Sequence, residues 1–476
     1  MPAQLNFATP NLPQTQLSKT SKTGANSSLS AIVYCFLGDG WHGLKCRRSE
    51  STCEHDLMNQ PRERVLVFGD DMRIFLAVVR SLGRADKEVH AAPFNWHSPA
   101  LQSKYISAVH RLPRYSDDPT AWRNKVLGLI KKYDFDLIIP CCDDRAILAF
   151  DMHREDFSSF RVALPDPSSM EGLFDKQCTK EICAKLGIPA SPGRRLAESD
   201  NVRDLVASFG LPLVLKPRRS FWPDRLDGWG KVFIVESEKE LSKLLVEIQD
   251  RSRYLVERHF LGVGVGVSVV ADHGTILHSF QHRRLREGWG GSSSYRVSEQ
   301  VDAALYAACE KICRHTGLTG VCMFEFRRRD TDQEWILLET NARFWGSCPF
   351  PLSLGIDFPR YLFDLYVHKR RHTAVQYPSG IRSRNAVLDA MNLFKSFRRV
   401  GLRESGSWIV ELGRFLMQPL FWLTGHERSD TFVRDDLRPA FAECALLLKS
   451  VAQKIKRQKG ALHRRRSQRI AKASGQ

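Results

Sequence analysis

The chain has no apolar run of membrane-spanning length, no Cys-x-x-Cys pair, no internal repeat and no Ser, Cys or His triad signature. A bilayer crossing needs about 20 apolar residues, and the nearest approach, Phe415 to Leu423, is broken by Gln418 and Pro419. The twelve cysteines are scattered and lack the paired spacing of zinc ligands. Cys309, Cys313 and His315 lie close together, but on a segment that reads as a helix, where buried free thiols are expected. A disulfide framework does not suit a chain of this size, so a reducing, cytoplasmic setting is expected.

What is present fits a soluble globular protein of two or three domains: 476 residues, 43% hydrophobic and 26% charged. The formal charge of +18 has a location. Residues 454–472 hold nine Lys or Arg and no acid, half the excess. This tail is expected to be disordered and solvated, with weak contact to an anionic membrane or nucleic acid as the alternative. No aromatic interleaving or nucleic-acid-binding module supports the latter. Residues 1–60 are polar and without sustained periodicity, an expected disordered extension. Leu29 to Leu37 resembles a short signal core but follows nearly thirty mostly polar residues and has no convincing cleavage site. Met58 would give a normal short lead into the first strand; we hypothesise that translation starts there, and intact mass of the native protein would decide it.

From Arg64 the pattern is α/β. VLVFG runs through Gly69-Asp70-Asp71 into a helix expected to stop at Gly83, and DLIIP runs through CCDD into a second helix. Such repetition implies a parallel sheet with a crevice at the strand ends, near Asp70, Asp71, Asp143, Asp144 and Arg145; helix capping is the plainer role for each Asp. Strand LPLVLKP carries Lys216, and helix SEKELSKLLVEIQ and strand RYLVERHF complete a β-β-α-β unit. The glycines of GVGVGVSVVAD are expected to admit another backbone closely, and TILHSFQHRRLRE is the expected antiparallel partner.

VCMFEFRRR and EWILLETNARFWG read as a hairpin turning near residues 330–332, so Glu325 lies opposite Glu339 or one diagonal step away. Glu339, Asn341 and Arg343 share a face. Two carboxylates about 5 Å apart repel by roughly 3 kcal/mol at an effective dielectric of 20. A cation should lie between them, and oxygen ligands suit Mg²⁺ carrying a nucleotide. Pairing of one acid with an arginine such as Arg327, or its exposure to solvent, is the alternative.

In order and spacing, VLVFGDDMRIFLAVVRSLGR, DKQCTKEICAKLGIPAS, LPLVLKP, YLVERHFLG, CMFEF and LLETNARFWG resemble the ATP-grasp ligases, in particular one half of the carbamoyl phosphate synthase large subunit, over about residues 64–368. The resemblance implies a Rossmann-like pre-ATP-grasp domain (61–168), an ATP-grasp domain (169–370) with a small lid (about 211–259) and a larger antiparallel sheet, and a basic, partly helical C-terminal extension (371–476). It implies that Lys176 and Lys216 hold ATP phosphates, that Gly228 and Gly230 belong to the lid loop, and that Glu257, Arg258, His259 and Phe260 form the adenine hinge. Glu325, Glu339 and Asn341 fall on Mg²⁺ ligand positions, with Mn²⁺ as a substitute, and Arg343 faces the γ-phosphate or acyl phosphate. The aromatic lid loop and the absence of an acid after Gly262 depart from the family pattern. Alternation leaves either Gln281 and Arg283 or His282 and Arg284 facing the ligand; Gln281 and Arg283 are expected to do so. The implied activity is ATP- and Mg²⁺-dependent ligation of a small carboxylate to an amine, or to a thiol, by way of an acyl phosphate. A carboxyphosphate-forming enzyme and a nucleotide-binding protein without turnover are the alternatives, and a homo-oligomer is open.

Overall fold

The computed structural model describes residues 62–450 and 453, apart from 225, 227–229, 289–292 and 401–404. The expected N-terminal extension, Gly228 of the lid loop and the basic tail from 454 lie outside the described residues.

The first unit is a parallel sheet. Strands β1 (Arg64–Phe68), β2 (Glu88–Ala92), β3 (Ile106–Val109) and β4 (Leu137–Pro140) pair in the order β3-β2-β1-β4. Helices α1 (Ile74–Arg84), α2 (Pro119–Tyr133) and α3 (Asp144–Asp151) connect and cover them. The short apolar runs of β1 and β4 are almost wholly buried, as strands covered on both faces must be. Asp71 starts α1 by accepting from the N–H groups of Arg73 and Ile74 at 2.8 and 2.7 Å. The helix runs one residue past Gly83, which sits where a Cβ would come within 2.5 Å of the Tyr105 ring. Gly83 is there for close packing, not termination.

Helices α4 (Pro167–Phe174) and α5 (Lys176–Leu186) lead to the lid. Asp175 caps α5, and Gly187, at φ 64°, ends it as its left-handed conformation allows. The lid comprises β5 (Gly193–Arg195), α6 (Val202–Phe209), β6 (Leu213–Pro217), β7 (Phe233–Val235), α7 (Glu238–Glu247) and β8 (Tyr254–Arg258), with sheet order β5-β8-β6-β7. Its own small core centres on Leu213, Leu215, Leu241 and Val256.

The main sheet has seven strands in the order β13-β12-β9-β10-β11-β14-β15. They are β9 (Val263–Asp272), β10 (Thr275–Glu287), β11 (Ser293–Glu299), β12 (Gly320–Arg328), β13 (Trp335–Asn341), β14 (Arg382–Arg384) and β15 (Glu427–Ser429). All neighbours are antiparallel except β14 and β15. One face packs on α8 (Ala303–Thr316), burying Cys309 and Cys313 as free thiols; burial pushes the Cys313 thiol up to about 12. The opposite face meets α1, α9 (Pro349–Ser353) and α10 (Phe358–His368) through Val270, Phe280, Val321 and Met323.

Residues 371–450, within the expected C-terminal extension, add two strands to this sheet. β14 and β15 continue the sheet, and α11 (Ala386–Val400), α12 (Ser405–Leu416) and α13 (Gln418–Leu423) lie between them. Arg80 of α1 donates from Nε to the Asp436 carboxylate at 2.9 Å, both side chains being buried, and from Nη2 to the Thr431 carbonyl at 3.0 Å. Arg84 pairs with Asp435 at 2.8 Å. No helix among the described residues is long and apolar enough to cross a membrane.

Candidate active site

Glu325 on β12 stands directly opposite Glu339 on β13 in the strand register. The turn between them closes with the Arg329 N–H donating to the Glu334 carbonyl at 2.8 Å, and Gln333 takes the left-handed conformation at φ 58°. Across β12 on its other side, Glu325 registers with Gly266 of β9, and Gly266 with His282 of β10. Glu339, Glu325, Gly266 and His282 therefore form one transverse row on one sheet face.

Protein cations compensate the two acids from different directions. Arg284 of β10 donates from Nη2 to Glu325 Oε2, and Asn341 Nδ2 donates to its other oxygen at 3.1 Å. Lys176, the first residue of α5, lies 3.4 Å from Glu339. Burial raises the Glu325 carboxyl above its ordinary range despite Arg284, with the Glu339 charge adding to the rise. Burial acts the same way on Glu339, but Lys176, Lys216 and Arg343 overcome it and hold that carboxyl below its ordinary range. The arginine anticipated as an alternative partner, Arg327, is engaged elsewhere: it donates to Glu287 at 2.7 Å and to the Gly262 carbonyl at 2.8 Å.

Lys216, on β6 of the lid, bridges to the same hairpin by donating to the Leu338 carbonyl at 3.1 Å. Its ammonium also lies 2.9 Å from Glu257 Oε2, while Lys180 of α5 lies 2.8 Å from Oε1. Glu257, expected at the adenine hinge, is thus a buried carboxylate faced by two lysines. Arg258 is exposed and His259 and Phe260 half-buried, the Phe260 ring lying under the Arg329 guanidinium at 4.9 Å. Gly230 packs where a Cβ would lie 2.6 Å from Pro217, at the end of β6. Nearby, Trp222 lies under the guanidinium of Arg253 at 4.7 Å.

Arg343 reaches the site from just beyond β13. It donates from Nη2 to Asn341 Oδ1 at 3.1 Å and from Nε to Asp144, at the start of α3. Asp144 is therefore more than a helix-end residue: it orients the guanidinium from the first unit. Asp143 performs the expected capping, accepting from the Arg145 N–H at 2.9 Å.

The β10 expectation is corrected. Gln281 and Arg283 point to the opposite face, because Glu325 shares its row with His282. Gln281 donates from Nε2 to Glu299 at 3.0 Å and accepts from the Asp302 N–H at 2.9 Å; Arg283 pairs with Glu299. Both are structural. The site face of β10 carries His282 and Arg284. The glycines of β9 serve these side chains rather than another backbone: a Cβ on Gly264 would meet Arg284 Cδ at 2.6 Å, and one on Gly266 would meet His282 Cε1 at 2.4 Å. The sequence cue for Arg284 was the Gly-x-Gly spacing of β9, readable only once β9 is known to lie between β10 and β12.

No group of three His, Cys, Asp or Glu side chains converges as a metal cage among the described residues. The donor set is two carboxylates and an amide. That set fits Mg²⁺, which takes one or two carboxylates and completes its shell with water and phosphate oxygens. A ribbon of acids, flanked by two lysines and an arginine on three different elements, can hold a polyphosphate with its cation.

A family model described as ATP-grasp in the biosynthetic pathway with Ter operon matches residues 250–387. Among solved structures, the chain is similar to the biotin carboxylase–β,γ-ATP complex of Campylobacter jejuni, at 16% identity and TM-score 0.51, covering 68% of this chain and 74% of that one. It is similar to the biotin carboxylase domain of Hydrogenobacter thermophilus 2-oxoglutarate carboxylase, in complex with MgADP, ADP and bicarbonate, at 16% identity and TM-score 0.52 over 68% and 74%. N5-carboxyaminoimidazole synthetase of Staphylococcus aureus, complexed with ADP, matches at 15% identity and TM-score 0.50 over 67% and 81%. No curated protein matches. The architecture is that of the ATP-grasp fold, and the segment 250–387 matches an ATP-grasp family model.

Proposed function

We propose that the protein is an ATP- and Mg²⁺-dependent ligase that joins a carboxylate to an amine through an acyl phosphate. The observation that carries this reading is the convergence of Glu325, Glu339, Asn341 and Arg343 on one hairpin with Lys176 and Lys216 brought over it from α5 and the lid. Mg²⁺ held by Glu325, Glu339 and Asn341 would neutralise charge on the ATP phosphates. Lys216 and Lys176 would bind phosphate oxygens, Lys176 in exchange for its contact with Glu339. Residues 257–260 line the adenine end. A substrate carboxylate oxygen attacks the γ-phosphorus, the bond to the β–γ bridging oxygen breaks, and ADP leaves. The amine nitrogen then attacks the acyl carbon, the C–O bond to phosphate breaks, and inorganic phosphate and a proton are released. Arg343, oriented by Asp144, stabilises the charge of the transferred phosphoryl group with donors that suit a tetrahedral anion. The free thiols among the described residues accord with a reducing, cytoplasmic setting.

The test is ADP release with Mg²⁺ over a panel of carboxylates and amines. Release should require one particular acid and amine together, and Glu339→Gln should lower it about a thousandfold, or ~4 kcal/mol, with an unchanged circular dichroism spectrum. Parent-level ATP consumption by that variant would show the metal assignment to be wrong.

A further inference from the structure

The sheet face that carries Glu339, Glu325 and His282 extends to β11, where His282 registers with Ser298, and the proposed reaction uses no residue there. Arg296 of β11 is paired with Arg284 in the register and lies on the same sheet face. Its side chain is completely buried. It donates from Nη2 to Asp430, which Ser383 also holds at 2.9 Å, but Nε and Nη1 have no hydrogen-bond partner among the described residues. Arg384, on the neighbouring strand β14 and equally buried, is the contrast. Its Nε and Nη2 donate to Glu427 and its Nη1 to Asp389, leaving no nitrogen unused. Near Arg296, the Nδ1 of the buried His282 and the Oγ1 of Thr431, adjacent to Asp430, are likewise without a partner among the described residues.

Buried donors on a charged group are normally satisfied, so their shortfall marks a missing acceptor. The Arg296 guanidinium demands an anion. His282 supports this chemistry: burial, with Arg296 and Arg284 adding to it, holds the imidazole well below its usual range, so it stays neutral and can donate to or accept from a ligand without adding charge. Arg296 begins three strand spacings, about 14 Å, from Glu325, too far to hold the carboxylate phosphorylated beside Arg343.

We infer that Arg296 and His282 form a carboxylate subsite for the acceptor, which is therefore an α-amino acid whose amine points back toward Glu325 while its own carboxylate is anchored at Arg296. The assignment rests on the ligase reading and names the acceptor class for it. It also gives the C-terminal segment a role: Asp430 positions Arg296, so the subsite exists only when residues 427–436 are docked.

Thermal unfolding of the full chain with saturating MgADP tests the subsite directly. Each proteinogenic L-amino acid is added, alongside the matching amino-acid amide, which lacks the carboxylate. At least one amino acid should raise the melting temperature beyond MgADP alone by on the order of 5 °C, its amide should not, and Arg296→Gln should abolish the rise. Arg296→Lys, which keeps a cation beside Asp430 and so guards against a folding failure, should abolish it too while keeping the MgADP shift. An amide as effective as its acid, a rise retained in the folded Arg296→Lys variant, or no response of the parent protein to any amino acid would overturn the subsite. Absence of the MgADP shift itself would instead overturn the ligase reading.

Discussion

On one face of the seven-stranded sheet, Val265, Val267, Phe324 and Phe326 pack against Leu305, Cys309 and Ile312 of α8. The polar residues on that face gather on one carboxylate: Gln281, Arg283 and Arg328 all donate to Glu299, the Gln281 N–H donates to the Tyr377 hydroxyl at 2.9 Å, and Arg328 Nε alone of these is left open. On the other face, alternate residues of the same strands carry Glu325, Arg284, His282 and Arg296, and atoms of His282 and Arg296 have no hydrogen-bond partner among the described residues. Buried polarity alone therefore does not distinguish a binding face from a structural one. The distinction lies in how far the hydrogen bonds close: among the described residues one donor stays open on the structural face, whereas on the other a fully buried guanidinium keeps two open nitrogens beside an open imidazole nitrogen, and unmet buried donors are costly.

Three substitutions press on that contrast, in descending order of expected effect. Asp436→Ala strips the buried Arg80 of its carboxylate and loosens the C-terminal cover of the site face. It should destabilise the protein by about 3 kcal/mol, seen as a lower urea midpoint; an unchanged midpoint would mean that residues 427–436 are not anchored through Arg80. Gly266→Ala forces a methyl group against His282 in the middle of the polar row. The expected loss is about 2 kcal/mol, accompanied by weaker MgADP binding in calorimetry; full retention of both would show that the row has slack. Gln281→Ala removes a satisfied residue from the structural face, costs about 1 kcal/mol and leaves MgADP affinity as it was. A large drop in that affinity would return Gln281 to the site.

Much of this architecture was legible in the sequence because it is local. The hairpin that opposes Glu325 and Glu339, the stop of α5 at Gly187 and the lid's β-β-α-β order all follow from periodicity and turn chemistry within a few dozen residues. The failures were non-local. Alternation splits β10 into two sets of side chains, but which set faces Glu325 depends on β9 lying between β10 and β12, which no short segment encodes. Asp144 reads as a helix-end residue until Arg343, 199 positions later, is seen to donate to it. The incorporation of β14 and β15 rests on buried pairs such as Arg80 with Asp436, separated by 356 residues. Gly264 and Gly266 were correctly read as points of close approach, but the approaching group is a pair of side chains.

A crystal structure of the protein with Mg²⁺ and a non-hydrolysable ATP analogue tests the central claim most directly. The account predicts the metal between Glu325 and Glu339, the β- and γ-phosphates against Lys216 and Lys176, and Lys176 withdrawn from Glu339. Nucleotide bound away from the β12–β13 hairpin, or these acids still metal-free and held by Arg284 and Lys176, would contradict it.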